Sequence, residues 1–178
     1  MRLLTPADYT RQPWKNGKGV TTELFRIERE GALLCRLSMA TVAEDGPFSL
    51  FPGIERNLTV LSGPGFHLSG PGIACDCHPL QPVAFPGDVP VVATGTAEGP
   101  SDDFNVMTSR ALPRPEVMIL ASPTSCPPGD LLAIFALAPA SLSELDLNLN
   151  TYDLLLTQGP VTVQTGTILA IRLHGLSL

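Results

Sequence analysis

Residues 20–42 read VTTELFRIEREGALLCRLSMATV. Polar and apolar side chains alternate through VTTELFRIE, pause at the glycine-bearing EGA, and alternate again through LLCRLSMATV. Period two on both sides of a short turn predicts a β-hairpin rather than a helix. Alternation also sorts the side chains by face. Thr21 and Glu23 fall on one face of the first arm, Thr22 and Leu24 on the other. In the second arm Cys35, Leu37 and Met39 read as core, while Arg36, Ser38 and Ala40 share the opposite face. An arginine and a serine are odd choices for a core and good ones for a pocket.

The same signals recur outward from this hairpin. Residues 57–70, NLTVLSGPGFHLSG, read as strand, turn around Ser62–Gly65, and strand. Residues 81–97 hold two more short strands about a Gly-Asp turn, and DFNVMTSR (103–110) another, with Asp103, Asn105 and Met107 on one face. Two strands separated by a proline-rich turn follow in 115–139, and 152–173 holds three. The segment 44–56, EDGPFSLFPGIER, is loop, with Arg56 entering the next strand. One helix is expected, over ASLSELDLN (140–148), where Ser141 is placed to cap and Glu144 lies three residues on. The total is roughly eleven short strands or more, which means an all-β sandwich or barrel. The plan strand, glycine turn, strand, glycine turn, strand occurs in 57–93 and again in 152–173, an echo that suggests two β-barrel-like halves.

Composition bounds the functional classes. With 178 residues the chain is long enough for a real core, and 44% hydrophobic against 16% charged residues argues against disorder. Eighteen prolines and sixteen glycines demand many turns. A formal net charge of -6 makes a nucleic-acid partner improbable, because phosphate binding needs a basic face. No secretory signal opens the chain, and its most apolar run, DLLAIFALAPA, is too short to cross a bilayer. The expectation is a soluble cytoplasmic protein with no membrane partner, in which Cys35, Cys75, Cys77 and Cys126 stay reduced.

The segments WKNGKGVTTEL (14–24), CRLSMATVAEDGPFSLFPGIERNLTVLSGPGF (35–66), FPGDVPV (85–91) and DFNVMTSR stand in the order and spacing of the HutD/Ves family. The chain resembles that family from roughly residue 5 to residue 175, most strongly before residue 110. The resemblance implies a bicupin: two stacked β-barrel halves of jelly-roll, RmlC-like character, one over approximately 1–110 with the pocket and a degenerate one over approximately 111–178. It also implies bacterial cytoplasmic proteins tied to histidine utilisation or stress response, and a small acidic ligand of the N-formyl-glutamate type. The family shows three glycines after the asparagine; here Gly17 and Gly19 flank Lys18.

Cupin enzymes hold metals with two histidines one residue apart, a nearby glutamate and a later histidine, so that alternate strand residues point into one barrel. Only His67 lies in the equivalent stretch, so no metal and no cofactor is expected there. Cys75, Cys77 and His78 form the one soft-metal cluster, but the spacing is tight and no fourth ligand is near. The glycines of NGKG precede a strand, not a helix, which excludes a dinucleotide fingerprint or a P-loop. No nucleophile elbow is present.

The family motifs and the strand faces converge on Trp14, Asn16, Gly19, Thr21, Glu23, Arg36, Ser38, Arg56, Asp103, Asn105 and Arg110 as ligand-binding residues. Arginine forks suit a carboxylate, Trp14 supplies a flat wall and Asn16 a donor and an acceptor. Equally, Arg36 and Glu23 can be a structural ion pair. The leading expectation is a metal-free sensor or regulator that binds a small carboxylate metabolite. Two alternatives stand beside it: a cofactor-independent isomerase, lyase or hydrolase with Glu23 as acid or base, and a structural or protein-interaction role. A homodimer is compatible with the general frequency of symmetric oligomers.

Overall fold

The computed structural model describes residues 1–14 and 19–177; Lys15, Asn16, Gly17 and Lys18 lie outside the described residues. Among the described residues, nineteen strands and two single-turn 3-10 segments, Pro6–Asp8 and Thr96–Glu98, make up the regular structure. The chain divides into two units, one of Thr10–Ala111 and the other of Met1–Tyr9 with Leu112–Leu178. Strand β1 (Arg2–Leu4) belongs to the latter.

The Thr10–Ala111 unit contains β2 (Thr10–Pro13), β3 (Val20–Arg29), β4 (Ala32–Val42), β5 (Gly46–Pro47), β6 (Ile54–Ser62), β7 (Phe66–Gly70), β8 (Ile73–Cys77), β9 (Val83–Pro86), β10 (Val92–Thr94) and β11 (Ser101–Ser109). They form a six-stranded sheet, β2-β3-β4-β11-β6-β9, and a four-stranded sheet, β5-β10-β7-β8. The expected hairpin is β3–β4: Arg29 pairs with Ala32 across Glu30 and Gly31. Both turn residues have positive φ (53° and 78°), the left-handed pair that matches the twist of the flanking strands. Gly63, just after β6, has φ 92°, and a Cβ there would lie 2.3 Å from the Pro100 carbonyl oxygen. The chain turns from one sheet to the other at a corner only glycine can make. Val42, Leu58, Val60, Phe66, Leu68, Phe85, Val91 and Ala93 form the apolar core of this unit.

The other unit contains β12 (Glu116–Ala121), β13 (Thr124–Cys126), β14 (Leu131–Ala136), β15 (Ala140–Leu142), β16 (Leu147–Leu149), β17 (Leu154–Thr157), β18 (Val161–Thr165) and β19 (Thr167–Leu173). Its sheets are β1-β17-β14-β19-β12 and β13-β18-β15-β16. The N-terminal residues join it because Arg2, Leu3 and Leu4 pair with Leu156, Leu155 and Leu154, and Tyr9 Oη donates to the Tyr152 carbonyl at 2.6 Å. The half expected to begin at residue 1 therefore lacks its first nine residues. An apolar core cluster of this unit includes Leu132, Ile134, Leu142, Leu155, Val161, Val163, Ile168 and Ala170.

The helix expected over 140–148 is a β-hairpin instead. Ala140, Ser141 and Leu142 pair with Leu149, Asn148 and Leu147. Glu144 does not close a capping box; its carboxylate accepts from the Thr162 backbone at 2.6 Å and from the Thr162 hydroxyl at 2.5 Å. Period two in ASL and LNL, with Ala140, Leu142 and Leu149 buried, outweighs a local Ser-x-x-Glu pattern once a neighbouring strand takes the carboxylate. No helix of the described residues is long and apolar enough to cross a membrane.

Candidate functional site

A cavity of about 680 Å³ opens within the Thr10–Ala111 unit, lined from the six-stranded sheet and from residues 47–51. Strand register explains its lining. Thr21, Ala40 and Asp103 stand side by side on β3, β4 and β11. Ser38 pairs with Asn105, and Arg36, Met107 and Arg56 form the next row across β4, β11 and β6. Period two brings these rows to one face, so Arg36, Ser38, Arg56, Asp103 and Asn105 all line the cavity, as does Thr21. Two steps between neighbouring strands put the Arg36 and Arg56 backbones about 10 Å apart, with Met107 between.

Arg56 is a buried cation, 6% exposed. Its Nη2 donates to Asn105 Oδ1 at 2.5 Å, and Asn105 Nδ2 donates to Asp103 Oδ1. Its guanidinium carbon lies 5.1 Å from the Phe48 ring centre, 5.6 Å from Phe51 and 5.1 Å from Phe85. Three of the seven phenylalanines thus surround one cation, each within cation–π range. Arg56 Nε is buried and has no hydrogen-bond partner among the described residues. Burial pulls the guanidinium down to about 10, opposed by the charge of Asp103. Asp103, 1% exposed, is pushed up to about 7, chiefly by burial and against the pull of Arg56.

Phe48 and Phe51 hold their places through the backbone. Phe48 N donates to the Val91 carbonyl at 2.9 Å and Phe51 N to the Gly87 carbonyl at 2.7 Å. Gly87 in turn donates to the Ile54 carbonyl at 2.8 Å. The loop read from EDGPFSLFPG is therefore a tied segment, and its two phenylalanines are site residues that strand periodicity does not reach. Their visible signal is two aromatics three apart in a glycine- and proline-rich loop.

At the other side, Trp14 lines the cavity. Its backbone N–H donates to the Gly19 carbonyl at 2.8 Å, and its indole Nε1 donates to Thr21 Oγ1 at 2.8 Å. Gly19 serves as the platform: a Cβ there would sit 2.8–2.9 Å from three indole carbons. Asn16 lies outside the described residues.

Glu23 and Arg110 take other roles. Glu23 Oε2 accepts from Arg36 Nε at 2.6 Å, both side chains mostly buried at 15% and 13% exposure. Glu23 is not among the cavity-lining residues; the ion pair anticipated between it and Arg36 forms. Arg110 grips the Asp88 carboxylate with both terminal nitrogens and holds it well below the usual carboxylate range. Arg110 lies away from the cavity lining and pins the 86–88 turn beside Gly53, whose carbonyl accepts from its backbone N–H at 2.9 Å.

The residues present do not fit a cupin metal. The lining has one carboxylate, no imidazole and two guanidinium groups, which would repel a cation. His67 pairs with Asp76 at 2.8 Å on an exposed face. Cys75 and Cys77, two apart on β8, share its inner face, while Asp76 between them faces the other way to meet His67; burial pushes the Cys77 thiol up to about 12. No three His, Cys, Asp or Glu among the described residues converge as a metal-binding group.

The sequence pattern of the HutD family matches residues 6–170. A relative in Pseudomonas putida, called an uncharacterized 21.2 kDa protein in the hutC 3' region, is 40% identical over 112 residues; the match covers 60% of this chain and 57% of that protein, little more than half of its length. Two solved structures are similar throughout. HutD from Pseudomonas fluorescens SBW25, in a formate condition, is 31% identical over 97% of each chain, with a TM-score of 0.87. A conserved protein of unknown function from Pseudomonas aeruginosa PAO1 is 30% identical over 98% of each chain, with a TM-score of 0.85. A cupin 2 conserved barrel domain protein from Leptotrichia buccalis shares the fold alone, at 8% identity, a TM-score of 0.57 and coverage of 88% of this chain and 89% of that one. The all-β architecture is a cupin fold, and the chain belongs to the HutD family.

Proposed function

We propose that the cavity of the Thr10–Ala111 unit binds a small carboxylate metabolite, N-formyl-glutamate or a related intermediate of histidine breakdown. On this reading the protein acts in the cytoplasm as a sensor or regulator of histidine utilisation. The observation that carries it is Arg56: a buried guanidinium lining a cavity, ringed by three phenyl groups, with Nε left unpartnered among the described residues. Leaving a buried donor unpaired costs about 1–3 kcal/mol, and a carboxylate is the ligand whose geometry and charge a guanidinium fork matches. Arg36, with Nε already committed to Glu23, supplies a second guanidinium on the same row. Ser38 and Asn105 supply hydrogen-bonding groups, and Trp14 an apolar wall. The hutC-region neighbourhood of the Pseudomonas putida relative and the formate condition of the Pseudomonas fluorescens structure accord with this ligand class and this pathway.

Isothermal titration of the full chain with N-formyl-glutamate, glutamate and formate tests the reading. Binding of at least one acid is expected, weakened tenfold or more in Arg56→Lys, which keeps the charge and loses the planar fork. Silence across the panel, or unchanged affinity in a folded Arg56→Lys, would overturn it.

A further inference from the structure

The charged groups of the cavity cancel one another, and this constrains how an anion enters. Arg36 is matched by Glu23 at 2.6 Å. Arg56 and Asp103 are bridged by one amide, Asn105, which accepts from the first and donates to the second. The other groups acting on Asp103 do not alter this balance. Asp102, its neighbour on β11, adds a like charge and is itself bonded by the Thr41 and Ser62 hydroxyls at 2.6 and 3.0 Å. Cys77, on β8, is a neutral thiol because burial pushes it up to about 12.

A ligand carboxylate that takes Arg56 brings a second negative charge to a cation already matched by Asp103. Asp103, Asn105 and Arg56 are all at most 6% exposed, so water screens the two anions poorly. Two carboxylates sharing one buried site cannot both stay ionised, and one of them takes a proton. The ligand, gripped by the guanidinium, is the better-stabilised anion. Burial already pushes the Asp103 carboxyl up to about 7. Asp103 Oδ1 accepts from Asn105, which leaves Oδ2 as the atom to be protonated.

We infer that each carboxylate ligand enters this cavity together with one proton from solvent, which Asp103 takes up at Oδ2. Asp103 thereby changes from the counter-ion of Arg56 into a neutral hydrogen-bond donor, and it selects for an anion bearing a carbonyl or hydroxyl acceptor near its carboxylate. The inference rests on the carboxylate reading above and adds to it the residue that sets the pH dependence of binding.

The test is titration of the full chain with N-formyl-glutamate, whose own carboxyls are ionised throughout, at pH 8 in buffers of differing ionisation enthalpy. Uptake of about one proton per ligand is expected, and affinity should fall about tenfold per pH unit between pH 7.5 and 8.5. Asp103→Asn should bind with no proton exchange and a flat pH profile, while Glu23→Gln should keep the uptake. Binding to the unaltered protein without proton uptake would overturn the inference and leave the carboxylate reading intact, as would uptake that persists in Asp103→Asn. If Asp103→Asn does not fold, the buffer series on the unaltered protein decides alone. Absence of binding at every pH from 6 to 8.5 would remove the carboxylate reading, and the inference with it.

Discussion

The interior positions of the Thr10–Ala111 unit that face its cavity carry Arg36, Ser38, Arg56, Asp103 and Asn105. Those of the Leu112–Leu178 unit carry Leu132, Ile134, Val161, Val163, Ile168 and Ala170, all fully buried. Both interiors are built by the same device, alternate residues of antiparallel strands. One is filled by aliphatic side chains; the other keeps about 680 Å³ open. Burying polar groups costs stability unless they are paired, so the polar interior is the one that needs a reason beyond folding. Local choices that work against stability are expected at functional sites. The packed barrel, by contrast, earns its composition from packing alone.

The sharpest way to break this comparison is to remove core atoms from each side. Ile134→Ala should cost about 2–5 kcal/mol in urea unfolding, because it combines lost burial with a new void. Ser38→Ala, which removes one hydroxyl from a cavity wall, should stay within about 0.5 kcal/mol. Adding atoms should show the same asymmetry. Ala136→Leu has no space to enter and should cost about 1–3 kcal/mol. Ala40→Leu points into the cavity, so it should leave stability nearly unchanged while abolishing carboxylate binding in the titration described above. Equal costs at the two alanines would mean that the polar barrel is not hollow in solution.

A third consequence concerns pH. Asp103 binds its proton more tightly folded, at about 7, than in an unfolded chain, near 3.8. Between those values the folded protein holds more protons, so its stability falls as pH rises. The contribution is fully present below pH 3.8 and lost through about pH 7, with a slope of at most about 1.4 kcal/mol per pH unit. Asp103→Asn should remove that component of the slope. Urea midpoints measured across pH 4 to 8 on both proteins check it, and identical slopes would show that Asp103 ionises freely.

How much of this was legible in the chain differs by region for physical reasons. Alternation sufficed for β3, β4 and β11, and it put Thr21, Arg36, Ser38, Asp103 and Asn105 on the face that lines the cavity. It did not reach Phe48 and Phe51, which lie in a loop without period and are placed by backbone bonds to Val91 and Gly87. Arg110 shares its strand neighbourhood with the site residues, yet its direction is decided by Asp88, which only the folded sheet brings near. The pairing of β1 with β17 joins residues 2–4 to 154–156, a separation over which no local signal acts. Over 140–148 a helix-capping pattern and a strand pattern coexist, and Thr162 settles the conflict by taking the Glu144 carboxylate.

The smallest effect concerns the rim. Trp14 is the only tryptophan in the chain, and its indole rests on the bare Cα of Gly19 with Nε1 tied to Thr21. Gly19→Ala would place a methyl 2.8–2.9 Å from three ring carbons, closer than carbon atoms pack. The ring must move, while Gly19 itself lies outside any strand. Stability should therefore change by less than about 1 kcal/mol, but the indole should leave its wall. Intrinsic fluorescence reads this directly: the emission maximum should shift to the red in Gly19→Ala, and Thr21→Val, which removes only the Nε1 acceptor, should shift it less. If both variants emit as the unaltered protein does, Trp14 is held by something other than Gly19 and Thr21. Its wall would then owe nothing to the glycine that follows the turn.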